Sequence, residues 1–300
     1  MLQARSARSI GIPALLSTAI SKHRLLPRIL DAPPLACSAN SLEVRMLLHR
    51  KRFLEGMWAL YSFAWHCKKP LRIIVHSDGS LDDECAHHLS RVFPGITLVD
   101  KKQADEAVNA DLQARGLKQC LEWRRRSVFA RKVLDFISMS KAECYLIIDS
   151  DILTFGYPKA LVEDPEDNTK HFHVYSLDNN DDSYALPPDV LEARTGRPAL
   201  RRLNAGIMKI RRDRLDIADF ERCFEETDVL NDPDSKQYYV EQAAYACILG
   251  KNGTIALDET KYTVCGDPNS VIIGHYCGGG YWATRFYREG LPYLTEKIRI

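Results

Sequence analysis

The chain has 300 residues, 45% of them hydrophobic and 27% charged, with 41 Lys and Arg set against 40 Asp and Glu. This is the make-up of an ordinary globular protein, with enough chain for one full-sized core or two small ones. A formal net charge of +1 supplies no bulk field for nucleic acid or an anionic membrane, so an anionic partner has to be met by a local basic patch.

Nine cysteines, an odd number with no CxxC pair among them, fit reduced thiols better than a disulfide framework and make the cytoplasm the default expectation. Cys85 stands beside His87 and His88, but no second ligand pair follows at a zinc-like spacing, so a polar helix face is the simpler reading. No apolar run reaches the roughly 20 residues that span a bilayer. The N-terminus carries Arg5, Arg8, Lys22, Arg24 and Arg28 with no acid before Asp31. It imitates a targeting peptide, yet its apolar part, 10–20, is short and contains Pro13; it reads as a basic extension or a helix docked on the domain.

In chain order, residues 1–40 look irregular or partly helical. From Ser41, a candidate N-cap, to Cys67 the apolar residues recur at three and four, which predicts a helix. The β-branched run 72–76 predicts a parallel strand buried on both faces, followed by a turn, a helix, the Pro94-Gly95 turn and a strand in "ITLVD": a β-α-β unit. Residues 104–142 read as helix, broken near Gly116, and lead into the strand "CYLIIDSD". Further strands are predicted in "HFHVYSL" and "LNAGIMKI", with a polar loop and a short helix between them, then two helices over 219–250. No repeat or linker interrupts this pattern. The expectation is an α/β fold: one Rossmann-like domain over 70–300, its central mixed, mostly parallel sheet flanked by helices, with residues 1–69 as an extension and helix packed on it.

Asp149 and Asp151 end the strand "CYLIID" one residue apart. Side chains at i and i+2 of a strand share a face, so both carboxylates can converge beyond the strand tip. Two hard oxygen donors there suit Mg²⁺ or Mn²⁺ with positions left for water and phosphate oxygens. Asp78, at the end of the first predicted strand, is placed by the same strand-end logic to meet a base or ribose.

"YLIIDSDILT", preceded by "SVFARKVLDF", resembles the DxD region of GT-A-fold, nucleotide-sugar-dependent glycosyltransferases. "LNAGIMKI" resembles their Asn-x-Gly strand, "VEQAAYACIL" their acidic-Gln helix, and "GHYCGG" the C-terminal motif of the family-eight group that includes glycogenin and lipopolysaccharide galactosyltransferases. The four motifs stand in the family's order over residues 70–290. The resemblance implies a metal-dependent transfer, more often retaining than inverting, from a nucleoside-diphosphate sugar such as a UDP-sugar to an unknown acceptor, whether a glycan, a lipid-linked sugar or a small molecule. It implies metal ligation by Asp149, Asp151 and His275, and a catalytic role for Asp149 and Asp151 with Glu241 and Gln242 near the anomeric carbon or acceptor. Lys132, Asn204, Gly206, Gly278 and Gly279 would contact the donor, Lys132 at the nucleotide or its phosphates and Gly206 as room for the sugar ring. The family's Lys after the glycines is missing here; Arg285 is the first nearby cation and stands as its substitute. The loop 178–202 is the candidate for acceptor recognition.

Two other readings stay open at this point. "LIIDSDILT" also resembles the first motif of haloacid-dehalogenase-type phosphatases, with Asp149 as nucleophile, Asp151 as general acid, Mg²⁺ as cofactor, and Ser176, Lys209 and Asp267 recruited as later motifs. The other is a sugar-nucleotide-binding homologue without turnover.

Overall fold

The computed structural model describes residues 11–164, 172–250, 253–278 and 281–300. After helix α1 (Ile12–Arg24), the first strand is β1 (Glu43–Leu48), not helix. The helix expected from Ser41 begins only at Phe53 and runs to Cys67 as α2. The reason is burial: "EVRMLL" sits in the middle of the sheet, where a ladder on both edges outweighs local helical spacing. The sheet therefore begins well before residue 70. Nearly all of α2 is buried, and it stops at Lys68, whose φ of 55° ends the helix in the left-handed region.

The predicted β-α-β unit is β2 (Arg72–Ser77), α3 (Asp83–Val92) and β3 (Thr97–Val99). The long helical stretch is three helices, α4 (Lys101–Ala114), α5 (Lys118–Arg126) and α6 (Val128–Met139). One break is at Gly116, whose φ is 71°. The second, not anticipated, is at Ser127, whose extended backbone and side-chain oxygen cap α6 through the amide of Phe129. Then come β4 (Cys144–Ile148), β5 (Ile152–Thr154), β6 (His173–Leu177), α7 (Pro188–Thr195), β7 (Leu203–Arg211), α8 (Ile217–Thr227) and α9 (Val240–Leu249). Strands β8 (Thr254–Ala256), β9 (Tyr262–Val264) and β10 (Ile273–His275) precede α10 (Tyr281–Arg285) and α11 (Leu291–Ile298).

Seven strands form one sheet in the order β3-β2-β1-β4-β7-β6-β8. β7 alone runs against its neighbours, so the sheet is mixed and mostly parallel. Every residue of β7 and most of β2 and β4 are buried, which is why these strands read as near-continuous apolar runs, whereas β1, buried likewise, carries Glu43 and Arg45. Two large apolar clusters lie on the two faces, one built around α2, the other around α6, α8 and α9. A second, three-stranded sheet, β5-β10-β9, sits beyond the tip of β4. It carries the C-terminal part of the chain back to the strand ends, where the site lies.

Candidate functional site

Strand β4 ends at Ile148, and Asp149 to Asp151 form the turn into β5. The Asp149 amide donates to the Gly206 carbonyl at 2.9 Å, extending the β4–β7 pairing to this turn. Strand β10 pairs antiparallel with β5, with His275 opposite Ile152, and the Tyr276 amide donates to the Asp151 carbonyl at 2.9 Å. That register sets His275 against the acid pair, although 124 residues separate it from Asp151. One ligand atom from each of Asp149, Asp151 and His275 falls within 4.8 Å of the others, and no other such trio occurs among the described residues. Cys85, His87 and His88 make no metal group; the Cys85 thiol accepts from Arg50 at 3.2 Å.

The His275 ring is held from behind. Its Nδ1 lies 2.9 Å from Asn204 Oδ1, which also accepts the Gly206 amide at 2.9 Å. An amide oxygen only accepts, so Nδ1 carries a proton, and Nε2, facing Asp151, is the ring atom left to gain or release one. Nε2 and Asp151 Oδ1 are 3.1 Å apart. Two electron-rich atoms at that distance need a positive charge, a proton or a cation, beside them. Burial by itself would lower the imidazole pKa, yet Cys277 and Asp151 raise it well above its ordinary value. Burial likewise works against an ionised Asp151, but the facing imidazole pulls its carboxyl below the usual range. The spacing also suits a shared cation, since adjacent donors on an octahedral ion bound at about 2.1 Å lie roughly 3 Å apart.

Gly206 lines the cavity and also makes room behind it. A Cβ at this position would stand 2.2 Å from Cε1 of His275, so the missing side chain leaves space for the imidazole. The β6–β7 register shifts between Tyr175 and Ser176, next to the Asn204–Gly206 segment, as bulges near functional sites often do.

Lys132, on α6, is buried and reaches under the acid pair. Its ammonium pairs with Asp149 Oδ1 at 2.6 Å and Glu241 Oε1 at 3.0 Å, and donates to the Ala205 carbonyl at 3.0 Å. Its neighbours are thus two carboxylates and one carbonyl, so Lys132 organises carboxylates at the cavity wall. Burial would strip its charge, but Asp149 and Glu241 more than restore it and raise its pKa. Burial lifts the Asp149 carboxyl despite Lys132, and lifts Glu241 to about 7. Arg124 and Arg131 turn inward to Asp105 and, for Arg124, Asp135.

Lys132, Glu241, the acid pair, His275 and the Asn204–Gly206 segment line one cavity of about 370 Å³, together with Asp78, Asp178, Gln242 and Gly278. Asp78 Oδ1 closes its own turn, accepting the Ser80 amide at 2.9 Å and hydroxyl at 2.6 Å. Gln242 donates to the Ser183 carbonyl at 2.9 Å. Gly278 has a φ of 80°, and Gly279 lies outside the described residues. Arg285 is not among the cavity's walls; it pairs with Glu289 at 2.6 Å and bonds the Cys265 carbonyl. The cavity cation that the sequence reading missed is Arg52, just before α2. Phe129, Tyr238, Tyr239 and Cys277 were missed as well. Cys277 stands two residues after His275 and was within reach of the motif; Arg52 was hidden by the mistaken helix.

The residues a phosphatase would recruit do not gather here. Ser176 bonds the Asn204 and Ile207 carbonyls, Lys209 pairs with Asp164 at 2.8 Å, and Asp267 caps its own turn through Asn269. None of the three lines the cavity.

No protein-family model matches the sequence, and no curated protein matches it. Solved structures do. An apo structure of the bifunctional glycosyltransferase WbbM matches with a TM-score of 0.58 at 14% identity, over 89% of this chain and 51% of that one, so the chain spans about half of WbbM. The galactosyltransferase LgtC, in complex with donor and acceptor sugar analogues, gives 0.51 at 14% identity over 86% and 94% of the two chains. Mouse xyloside xylosyltransferase 1 gives 0.50 at 12% identity over 81% and 98%. At such identities the likeness establishes architecture: the chain has the α/β fold of these glycosyltransferases, with its strand tips and their acid pair lining a single cavity.

Proposed function

We propose that the protein is a metal-dependent glycosyltransferase that moves a sugar from a nucleoside-diphosphate sugar, a UDP-sugar in the simplest case, to an acceptor, with retention at the anomeric carbon. The observation that carries this reading is the convergence of Asp149, Asp151 and His275 on one wall of the cavity. Electrostatics supports it. The cavity walls hold five carboxylates, Asp78, Asp149, Asp151, Asp178 and Glu241, against two permanent cations, Arg52 and Lys132. A diphosphate entering such a site is repelled unless a divalent cation is bound first. The two carboxylates and the imidazole fit Mn²⁺ or Mg²⁺, and when bound the ion supplies Lewis-acid charge to the departing diphosphate.

The chain's own residues do the rest. Asn204 fixes the His275 tautomer, so that Nε2 is a ready ligand. Lys132 holds Asp149 and Glu241 in place and offsets their charge. Glu241 and Gln242 begin α9 at the cavity wall, where an acceptor or the anomeric centre would be met. The volume admits a nucleotide but leaves the sugar unspecified.

The test is a screen of intact nucleotide sugars with Mn²⁺ or Mg²⁺, read by released nucleoside diphosphate. Turnover that chelator abolishes supports the reading. Hydrolysis of phosphomonoesters with trapping by phosphate mimics would replace it with a phosphatase, and tight nucleotide binding without turnover on any donor and acceptor pair would replace it with a binding protein.

A further inference from the structure

Helix α1 is amphipathic the wrong way round. Its residues turned to the protein are Thr18 and Ser21, at 9% and 4% exposure. Its large apolar side chains face outward: Ile12 is 74% exposed, Leu16 59%, Ile20 54% and Leu15 47%. With 3.6 residues per turn, these four and Ala19 cover an arc of about 140° on one side of the helix. The helix is not loose, however. It packs against the short π-helix Phe286–Gly290, against α10 and against the 3-10 helix Leu26–Asp31, and the Lys22 ammonium lies 4.4 Å from the Tyr287 ring centre. Pro13 sits in its first turn, where proline favours helix. So the fold fixes an apolar stripe on its surface rather than burying it.

Charge says what covers the stripe. The last turn of α1 carries Lys22, His23 and Arg24, Arg28 follows, and the sequence has no Asp or Glu before Asp31. In a chain of formal charge +1 overall, this end is one-signed. A protein partner would need an acidic rim around an apolar groove; an anionic bilayer offers both features everywhere. As described, α1 is too short to span, since 13 residues of helix reach about 20 Å against a hydrocarbon core of about 30 Å, and no helix among the described residues is long and apolar enough to cross. What remains is a helix lying in the plane of the interface. Trp282, 44% exposed on α10, stands on a helix that α1 packs against, and tryptophan favours the headgroup level.

We infer that α1 is an interfacial anchor that seats the protein on a bilayer rich in anionic lipid, with Ile12, Leu15, Leu16 and Ile20 entering the acyl boundary and the basic C-terminal turn meeting headgroup phosphates. Because α10 follows closely on Cys277 and Gly278, the anchor is braced on the segment that leaves the cavity wall.

The experiment is flotation of the full chain with vesicles of phosphatidylcholine alone or mixed with phosphatidylglycerol, at low and high salt. The protein should float with the mixed vesicles, less with the neutral ones, and less in high salt. A Leu16→Glu, Ile20→Glu double variant should lose flotation while its thermal melting stays as in the parent, because both side chains are exposed. Arg24→Gln should lower partition onto mixed vesicles roughly fivefold and leave neutral vesicles unaffected. Unchanged flotation of the double variant, or failure of the parent to float, would overturn the anchor. So would a parent that ignores vesicles but self-associates in sedimentation equilibrium through Leu16 and Ile20, since the stripe would then be covered by a second copy.

Discussion

Two clusters of buried charge lie within the same sheet and do opposite things. In the first, across β1 and β2, Arg45 binds Glu43 at 2.6 Å and His76 at 2.8 Å, while Ser140 and Arg72 reach Glu43 at 2.7 and 3.2 Å. It holds one carboxylate against two guanidinium groups and has no share in the cavity. In the second, at the tips of β4 and β7, Asp149, Asp151 and Glu241 outnumber Lys132, and His275 faces them across the cavity wall. The first is closed in on itself. The second is short of positive charge and opens toward a ligand. Burial of charge alone therefore does not mark a candidate site; an excess of carboxylate facing a cavity does.

The comparison can be broken at either cluster. The largest effect should come from Asp151→Ala, which is expected to abolish sugar transfer and metal-linked nucleotide binding while leaving the melting temperature near its original value. A variant that melts normally and still transfers sugar would remove the open cluster from the chemistry. Arg45→Met is the mirror case. Leaving Glu43 short of a buried partner should cost about 3–5 kcal/mol of stability in denaturant unfolding, with metal-dependent nucleotide affinity unchanged in the folded fraction.

Gly206→Ala is the next step down. Its Cβ would press on the His275 ring, so nucleotide affinity in the presence of metal should fall about 10–100-fold. Equal affinity in titration calorimetry would mean that the ring can move without loss. A paired comparison then tests which cation meets the diphosphate: Arg52→Ala should weaken nucleoside-diphosphate binding about tenfold, and Arg285→Ala, held by Glu289 off the cavity, should not.

The effect that is smallest near neutral pH, growing only as pH falls, is a pH dependence in the closed cluster. Burial, and after it the Arg45 guanidinium, hold His76 neutral with its pKa down at about 3. Unfolding frees the imidazole to take a proton near its ordinary 6.5. Its contribution is thus intact above about 6.5 and is lost as pH falls toward about 3, with a slope of up to about 1.4 kcal/mol per pH unit. His76→Gln, which keeps an acceptor for Arg45, should flatten that part of the urea-unfolding profile. Parallel profiles for the variant and the parent would show that the imidazole does not charge on unfolding.

Much of this was legible in the chain. The runs 72–76, 144–148 and 203–210 read as strands because a doubly covered strand is apolar at every position, and each is one. Asp149 and Asp151 announced themselves because polar side chains directly after such a run have few places to go. "EVRMLL" did not read correctly, since its spacing mimics a helix and only the neighbours β2 and β4 decide that it is a strand. That error also hid Arg52.

The sequence by itself determined the alternation of strands and helices, the strand-end acids and the glycines, because these follow from periodicity and local backbone freedom. The tertiary structure alone decided that Lys132 serves Asp149 and Glu241, that Gly206 yields its space to His275, and that α1 turns its apolar side outward. Those outcomes depend on pairings between residues distant along the chain, such as β10 against β5, and on which face of a helix finds a partner. No local pattern encodes either.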